Sequence, residues 1–333
     1  MADVALEARS SSGSEVDSAY RARVLARFHR GDRIFATLTF LSAITVLLVL
    51  GAIFAALVAG SIPVFQKFGL SFFFTVAWNP VTENFGAAAP IIGTLVTSLI
   101  AMLIAVPLGI GIAIFLTELC PMSLRRPVGI AIELLAGVPS IIYGIWGLFV
   151  FAPFLQAHVQ PALIATFENV PVMSNLFAGP PFGIGVLTAA IILAFMVLPF
   201  IAAICRDVFD TVPPVLKESA YGLGCTTWEV VSNVVIPYTR VGVIGGVMLA
   251  LGRALGETMA VTFVVGNSHR LSASLLAPGT TISATIANEF TEAQGDIYTG
   301  SLIALGLILF IITFFVLAAA RLMLARLALK AGK

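Results

Sequence analysis

Charge is scarce in this sequence. Only 11% of its 333 residues are Asp, Glu, Lys or Arg, where soluble domains carry about 25%, and 59% are hydrophobic. No polar stretch is long enough for a large soluble domain, and a formal net charge of +1 provides no field to gather nucleic acid. Histidine and cysteine are equally sparse, with three of each. His29, His158 and His269 fall in a tail and in loops without metal-ligand spacing, so no metal site is expected. Cys120, Cys205 and Cys225 lie at predicted helix ends or in loops on one side and read as free thiols. Also missing is the G-x-x-x-x-G-K-[ST] phosphate loop, which excludes P-loop binding of ATP by this chain. The sequence therefore predicts no catalytic residues, no cofactor and no enzymatic activity of its own.

Long apolar runs are what the sequence has in quantity. Runs of the roughly 20 residues needed to cross a bilayer occur at 34–59, 89–117, 128–155, 183–205, 239–266 and 297–320. The expected fold class is all-α, a polytopic membrane protein with six transmembrane helices. A polar tail over 1–33 precedes a membrane domain over 34–325, and a short tail over 326–333 follows it. With the N-terminus inside, the inner segments hold six tail arginines, Arg125, Arg126, Arg206, Lys217, Arg240, Arg321, Arg326, Lys330 and Lys333. The outer segments hold Lys67 and Arg270. Because cationic loops stay cytoplasmic, both termini are expected in the cytoplasm. The aromatic residues Phe72, Phe73, Phe74 and Trp78 in the first outer connection suit a belt at headgroup level or a short interfacial helix, with the docking of an extracellular partner as the alternative.

The most informative stretch runs from Lys217 to Asn267. Its first half lies in the inner connection 206–238. Pro213 and Pro214 end the preceding helix there, and Glu218 is expected in the first turn of a new one. Gly222 and Gly224 break that helix, Thr226 or Thr227 caps the next, and Pro237 stops it. The pattern predicts a helix-turn-helix finger at the membrane surface, either an ordinary amphipathic loop or a docking element.

The second half is an apolar helix pattern containing Arg253 and Glu257. From a start near Thr239, Arg253 lies roughly 20 Å along the helix, close to the bilayer midplane. Glu257, four residues on, falls on the same face, and Gly252 and Gly256 give a GxxxG spacing for close helix packing. Mutual neutralisation by the two charges is the structural reading. Arginine N-terminal to glutamate is, however, the poorer order for such a pair. Buried membrane charges usually mark pathways, so Arg253 and Glu257 are a candidate functional pair, with Thr258 continuing the face near Glu257. Glu133 is expected near the cytoplasmic interface, either snorkelling or paired with Arg126, and Pro139 to kink the third span beside Ser140.

The order Glu218, Ala220, Gly224, Val234, Ile236, Pro237 resembles the cytoplasmic loop motif of permease subunits of binding-protein-dependent ABC importers, with Ser219 and the Val234/Ile236 pair departing mildly from it. Three longer strings, Trp78 to Leu119, Glu133 to Leu148 and Gly252 to Asn267, resemble the permeases of the phosphate-specific transport system, PstC-type rather than PstA-type. The resemblance runs from about residue 30 to the C-terminus. It implies a type I ABC importer permease in the inner membrane that moves phosphate. It also implies a homologous second permease of PstA type, two cytoplasmic ATPase subunits of PstB type and a periplasmic phosphate-binding protein as partners. On that reading Glu218, Ala220, Gly224 and Pro237 belong to the coupling helix that enters the ATPase, and Arg253, Glu257 and Thr258 to the substrate pathway. A permease for sulfate or molybdate is the alternative, with an ion-coupled secondary transporter behind it, because one Arg and one Glu do not distinguish tetrahedral anions.

Overall fold

The computed structural model describes the backbone of residues 2–331 and the side chains of 32–326. The side chains of the tail expected over 1–33 lie outside the described residues up to position 31, as do those of 327–333. Six helical stretches among the described residues are long and apolar enough to cross a membrane: Asp32–Phe73, Ala88–Leu119, Ser140–Phe167, Val186–Phe209, Thr227–Leu255 and Asp296–Arg326.

The chain divides into two compact units, Met1–Ala59 and Gly60–Lys333. Helix α1 (Ala2–Phe68) supplies the first unit, where Phe35, Leu38, Phe40, Leu47 and Leu48 are exposed. An apolar surface of this kind is stable against lipid rather than water. Within the second unit, α1 ends in a 3-10 turn (Gly69–Phe73), followed by a two-residue hairpin, β1 (Trp78–Asn79) against β2 (Asn84–Phe85). Phe72 is fully buried against Phe65, Phe68 and Phe73, and Trp78 turns inward. The expected headgroup belt is thus corrected at these two positions, while Phe74 remains 82% exposed.

The core of this unit is α2 (Ala88–Ile114) packed along α8 (Val186–Phe209). Ala101, Ala105, Gly109 and Ala113 recur every four residues on one face of α2, and all are buried. A Cβ at Gly109 would stand 2.7 Å from Ile201 Cγ2, so the small-residue row is what lets the two backbones approach. The last turn of this second span is a π-helix (Phe115–Leu119).

The third span begins later than its hydrophobicity suggests. Helix α3 (Met122–Ala136) is separate, and Gly137, Val138 and Pro139 break the chain before α4 (Ser140–Trp146). The span continues through π turns to α5 (Ala152–Phe154) and α6 (Gln160–Phe167), and a short α7 (Met173–Leu176) follows. Pro139 therefore ends a helix instead of kinking one, because it lies between two segments and its φ of −57° and ψ of 136° are not helical. Ion pairs fasten α3 to α8: Arg206 donates to Glu133 at 2.6 Å and Arg125 to Asp210 at 2.6 Å. Glu133 thus pairs with Arg206 and not with Arg126.

Candidate functional site: a broken fifth span and a surface finger

Helix α9 (Pro214–Gly222) opens the finger, with Pro214 in its first turn. Glu218 stands beyond that turn, which corrects its expected placement at the positive end of the helix dipole. Ala220 is buried, whereas Glu218 and Gly224 are exposed. Gly224 reverses the chain at φ +88°, a conformation that L side chains disfavour. Thr226 then caps α10 (Thr227–Val230) in a full capping box: its side chain accepts the Glu229 N–H, and Glu229 accepts the Thr226 N–H at 2.7 Å.

Pro237 does not stop this second helix. A π turn (Val231–Val235) absorbs the missing proline amide, and the helix runs on as α11 (Ile236–Leu255). The outward surface of the finger carries Val215, Leu216, Tyr221, Leu223 and Trp228, each at least 42% exposed. An exposed apolar patch of this kind is a candidate contact surface.

The fifth span ends at Leu255, and here the structure departs most from the continuous helix expected over 239–266. Gly256 closes α11, and a four-residue helix, α12 (Met259–Thr262), begins after Thr258. Irregular backbone then occupies 263–281, with Gly266 and Asn267 at φ +91° and +50°. Its carbonyls take up amides at the start of α8: Gly185 N–H donates to Val264 O at 2.9 Å and Leu187 N–H to Leu275 O at 2.8 Å. Backbone of this kind is tolerated beside a membrane when protein satisfies it. Glycines on the third span seat the segment. A Cβ at Gly144 would meet the Met259 carbonyl oxygen at 2.9 Å, and one at Gly147 the Val264 side chain at 3.1 Å.

The break separates the two charges expected on one helix face. Glu257 Oε1 accepts the Ala260 N–H at 3.2 Å and so holds the first turn of α12. The Arg253 guanidinium lies 5.5 Å from the centroid of the Phe200 ring, within cation–π range. Tyr143 lies near it, and the Tyr143 hydroxyl donates to Leu135 O at 3.0 Å. Arg253 is exposed, Glu257 and Thr258 are half-buried, and Thr258 Oγ1 donates to Gly256 O at 3.3 Å. Phe200 and Tyr143 are neighbours that sequence reasoning missed, since nothing in an apolar helix pattern shows which ring faces a cation on another span.

A second polar cluster also escaped the sequence. Glu289, at the end of α13 (Ile282–Glu289), accepts from Trp78 Nε1 at 2.6 Å and from the Tyr298 hydroxyl at 2.9 Å; Tyr298 lies near the start of α14 (Asp296–Ala331). His269 Nε2 lies 2.8 Å from the other carboxylate oxygen. His269 Nε2 faces a carboxylate that can only accept and so donates to it, while Nδ1 is buried without a partner among the described residues. Trp78 stacks on the His269 ring at 4.9 Å. Burial opposes the charge on Glu289, but the hydrogen bonds from His269, Tyr298 and Trp78 outweigh it and hold the carboxyl below its usual range.

Comparison with known proteins agrees with this architecture. The family described as binding-protein-dependent transport system inner membrane component matches residues 105–329. The chain is 67% identical over 312 residues to the phosphate transport system permease protein PstC of Mesorhizobium japonicum, covering 94% of this chain and 95% of the relative. It is 57% identical over 305 residues to the protein of the same name from Pasteurella multocida, covering 92% and 95%. Its fold is similar to that of a chain in the crystal structure of a bacterial alginate ABC transporter in complex with an alginate pentasaccharide-bound periplasmic protein. That similarity has a TM-score of 0.53 at 16% identity and covers 87% of this chain and 94% of the other.

Proposed function

This chain belongs to the binding-protein-dependent transport system inner membrane components and is the permease subunit of a phosphate ABC importer, and from that premise we propose that Arg253, Glu257 and Thr258 line its phosphate path. The observation that carries this reading is the exposure of Arg253 within a membrane-crossing helix. An arginine facing lipid at depth costs about 2.5–3.5 kcal/mol or more, so that face requires water or protein against it. Among the described residues no carboxylate pairs with the planar fork of Arg253, and Glu257 is engaged at the start of α12. The guanidinium holds phosphate oxygens two at a time, and the Phe200 ring fixes its approach. The free oxygen of Glu257 accepts a proton-bearing phosphate hydroxyl, and the Thr258 hydroxyl borders the same break. Sulfate and molybdate are not favoured as substrates, because the relatives at 67% and 57% identity are phosphate permeases.

The path forms against a homologous second permease of PstA type, and a periplasmic phosphate-binding protein delivers the substrate. Two PstB-type ATPase subunits hydrolyse ATP below the membrane, since this chain has no P-loop. The finger within 206–238 docks on one of them through Val215, Leu216, Tyr221, Leu223 and Trp228, with Glu218, Gly224 and Pro237 also at the surface and Ala220 holding α9 to the core. The cation bias of the segments supports two cytoplasmic termini.

The test is uptake of labelled phosphate into vesicles containing this chain with those partners, comparing wild type with Arg253→Gln at matched complex abundance. Loss of uptake by an assembled Arg253→Gln complex supports the pathway role. Normal uptake makes Arg253 structural.

A further inference from the structure

Among the lysine and arginine ion pairs of the described residues, one differs from the others in burial. Lys217 Nζ donates to Glu118 Oε1 at 2.6 Å, with side-chain exposures of 18% and 6%. The pairs Lys67–Glu83, Arg125–Asp210 and Arg206–Glu133 each include a partner at least 47% exposed. A buried pair resists separation, because pulling it apart strands a charge in a medium of low dielectric.

Its position is as notable as its burial. Lys217 lies on α9, whose other surfaces face outward through Val215, Leu216, Glu218 and Tyr221. The helix therefore holds to the membrane domain over a narrow face, chiefly Lys217 and Ala220. Glu118 lies in the π turn that ends the second span, and such turns recur at functional sites in helices. About 24 residues away, roughly 36 Å along the same span, Thr94 Oγ1 accepts the Ile282 N–H at 2.9 Å. Next to it, a Cβ at Gly93 would stand 1.8 Å from the Thr280 carbonyl oxygen. The second span thus touches the finger at one end, and at the other the irregular segment that begins just beyond Arg253.

We propose that Lys217 and Glu118 form the joint through which movement of the finger is passed to the second span, and by it to the segment that follows Arg253. Both are positioning residues for transport; neither touches phosphate. The inference rests on the finger being the ATPase-facing element. The joint makes uptake depend on the paired charges, while the docking surface of the finger stays intact without them.

The experiment uses the assembled complex in vesicles and reads both ATP hydrolysis and labelled phosphate uptake for wild type, Lys217→Gln, Glu118→Gln, Lys217→Arg and the exchanged double variant Lys217→Glu/Glu118→Lys. Each neutralised variant is expected to hydrolyse ATP within about twofold of wild type and to move at least fivefold less phosphate per ATP. Lys217→Arg, which keeps charge and reach, is expected to keep the wild-type ratio, and the exchanged pair to recover at least half of it. Unchanged phosphate per ATP in both neutralised variants overturns the joint, even if both rates fall together. Where a neutralised variant does not assemble, Lys217→Arg decides: an assembled arginine complex with a fivefold lower ratio overturns the proposal, and a wild-type ratio supports it. Wild-type uptake that does not depend on ATP overturns instead the reading of the finger on which the joint rests.

Discussion

Arg253 stands over the ring of Phe200, 5.5 Å from its centroid, and not against Glu257, four residues away. The helix carrying Arg253 ends at Leu255, so the four-residue spacing no longer places both side chains on one face. The arginine is consequently held by an aromatic ring on a neighbouring span, and its donors remain available to an anion.

Arg253→Gln is expected to assemble normally and to lower phosphate uptake by at least fiftyfold. Arg253→Lys keeps the charge but loses the two-point fork and recovers only a small part of that activity. Labelled phosphate uptake at matched abundance checks both variants.

Glu257 combines a charge with a hydrogen bond at the start of α12, and two substitutions separate these roles. Glu257→Gln retains an amide oxygen for the Ala260 N–H, so the segment stays ordered while uptake is lost. Glu257→Ala also removes the acceptor and costs a further 0.5–2 kcal/mol or so, the usual range for a lost cap. Thermal unfolding of the purified complex distinguishes the two.

Gly224→Ala places a Cβ at φ +88°, where no atom lies within 4 Å. Its cost is therefore conformational, about 1–2 kcal/mol, and local to the finger turn. ATP hydrolysis by the assembled complex is expected to respond less to phosphate-loaded binding protein, with the membrane spans undisturbed.

Gly93→Ala drives a Cβ into the Thr280 carbonyl, 1.8 Å away, where backbone has to move. The expected result is severe destabilisation of the segment after α12, seen as faster proteolysis within 266–281 and loss of complex. Gly51→Ala, with nothing within 4 Å, is the neutral control.

Glu289 links acidity to stability. Its folded carboxyl is held below the ordinary value of 4.5, so it contributes stability that is present in full above that value. The contribution is lost as pH falls through the lower folded value. Glu289→Gln is expected to lower the unfolding temperature at pH 7, by the worth of a hydrogen bond to a charged acceptor, about 1.5–3 kcal/mol. The gap from wild type should close on acidification below pH 4.5. Melting curves of both proteins from pH 7 to pH 3 check the sign.

Much of the membrane architecture was legible without coordinates. Length and hydropathy fix where a chain can cross a bilayer, and six spans follow directly. The finger was readable for a related reason: Pro213, Pro214, Gly224 and a threonine cap at Thr226 or Thr227 act locally through φ restriction and orphan amides, whatever the rest of the chain does. The motif around Glu218, Gly224 and Pro237, with the strings around Trp78 and Gly252, carried the family.

The sequence by itself thus determined the class, the span count, the finger and the family, because these depend on transfer energies and on interactions within a few residues. Tertiary structure decided where hydrophobic runs cease to be helices. The runs 128–155 and 239–266 are apolar enough to read as continuous spans despite Glu133, Arg240, Arg253 and Glu257, yet the first is cut at Pro139 and the second at Gly256. It also decided which charges meet. Arg206 finds Glu133, Lys217 finds Glu118 across 99 positions, and Glu289 draws Trp78 from 211 positions away. Such pairings arise from packing, where the small-residue row of α2 against α8 sets how closely and at what height the spans meet. Hydropathy describes each span against lipid and carries no term for that height.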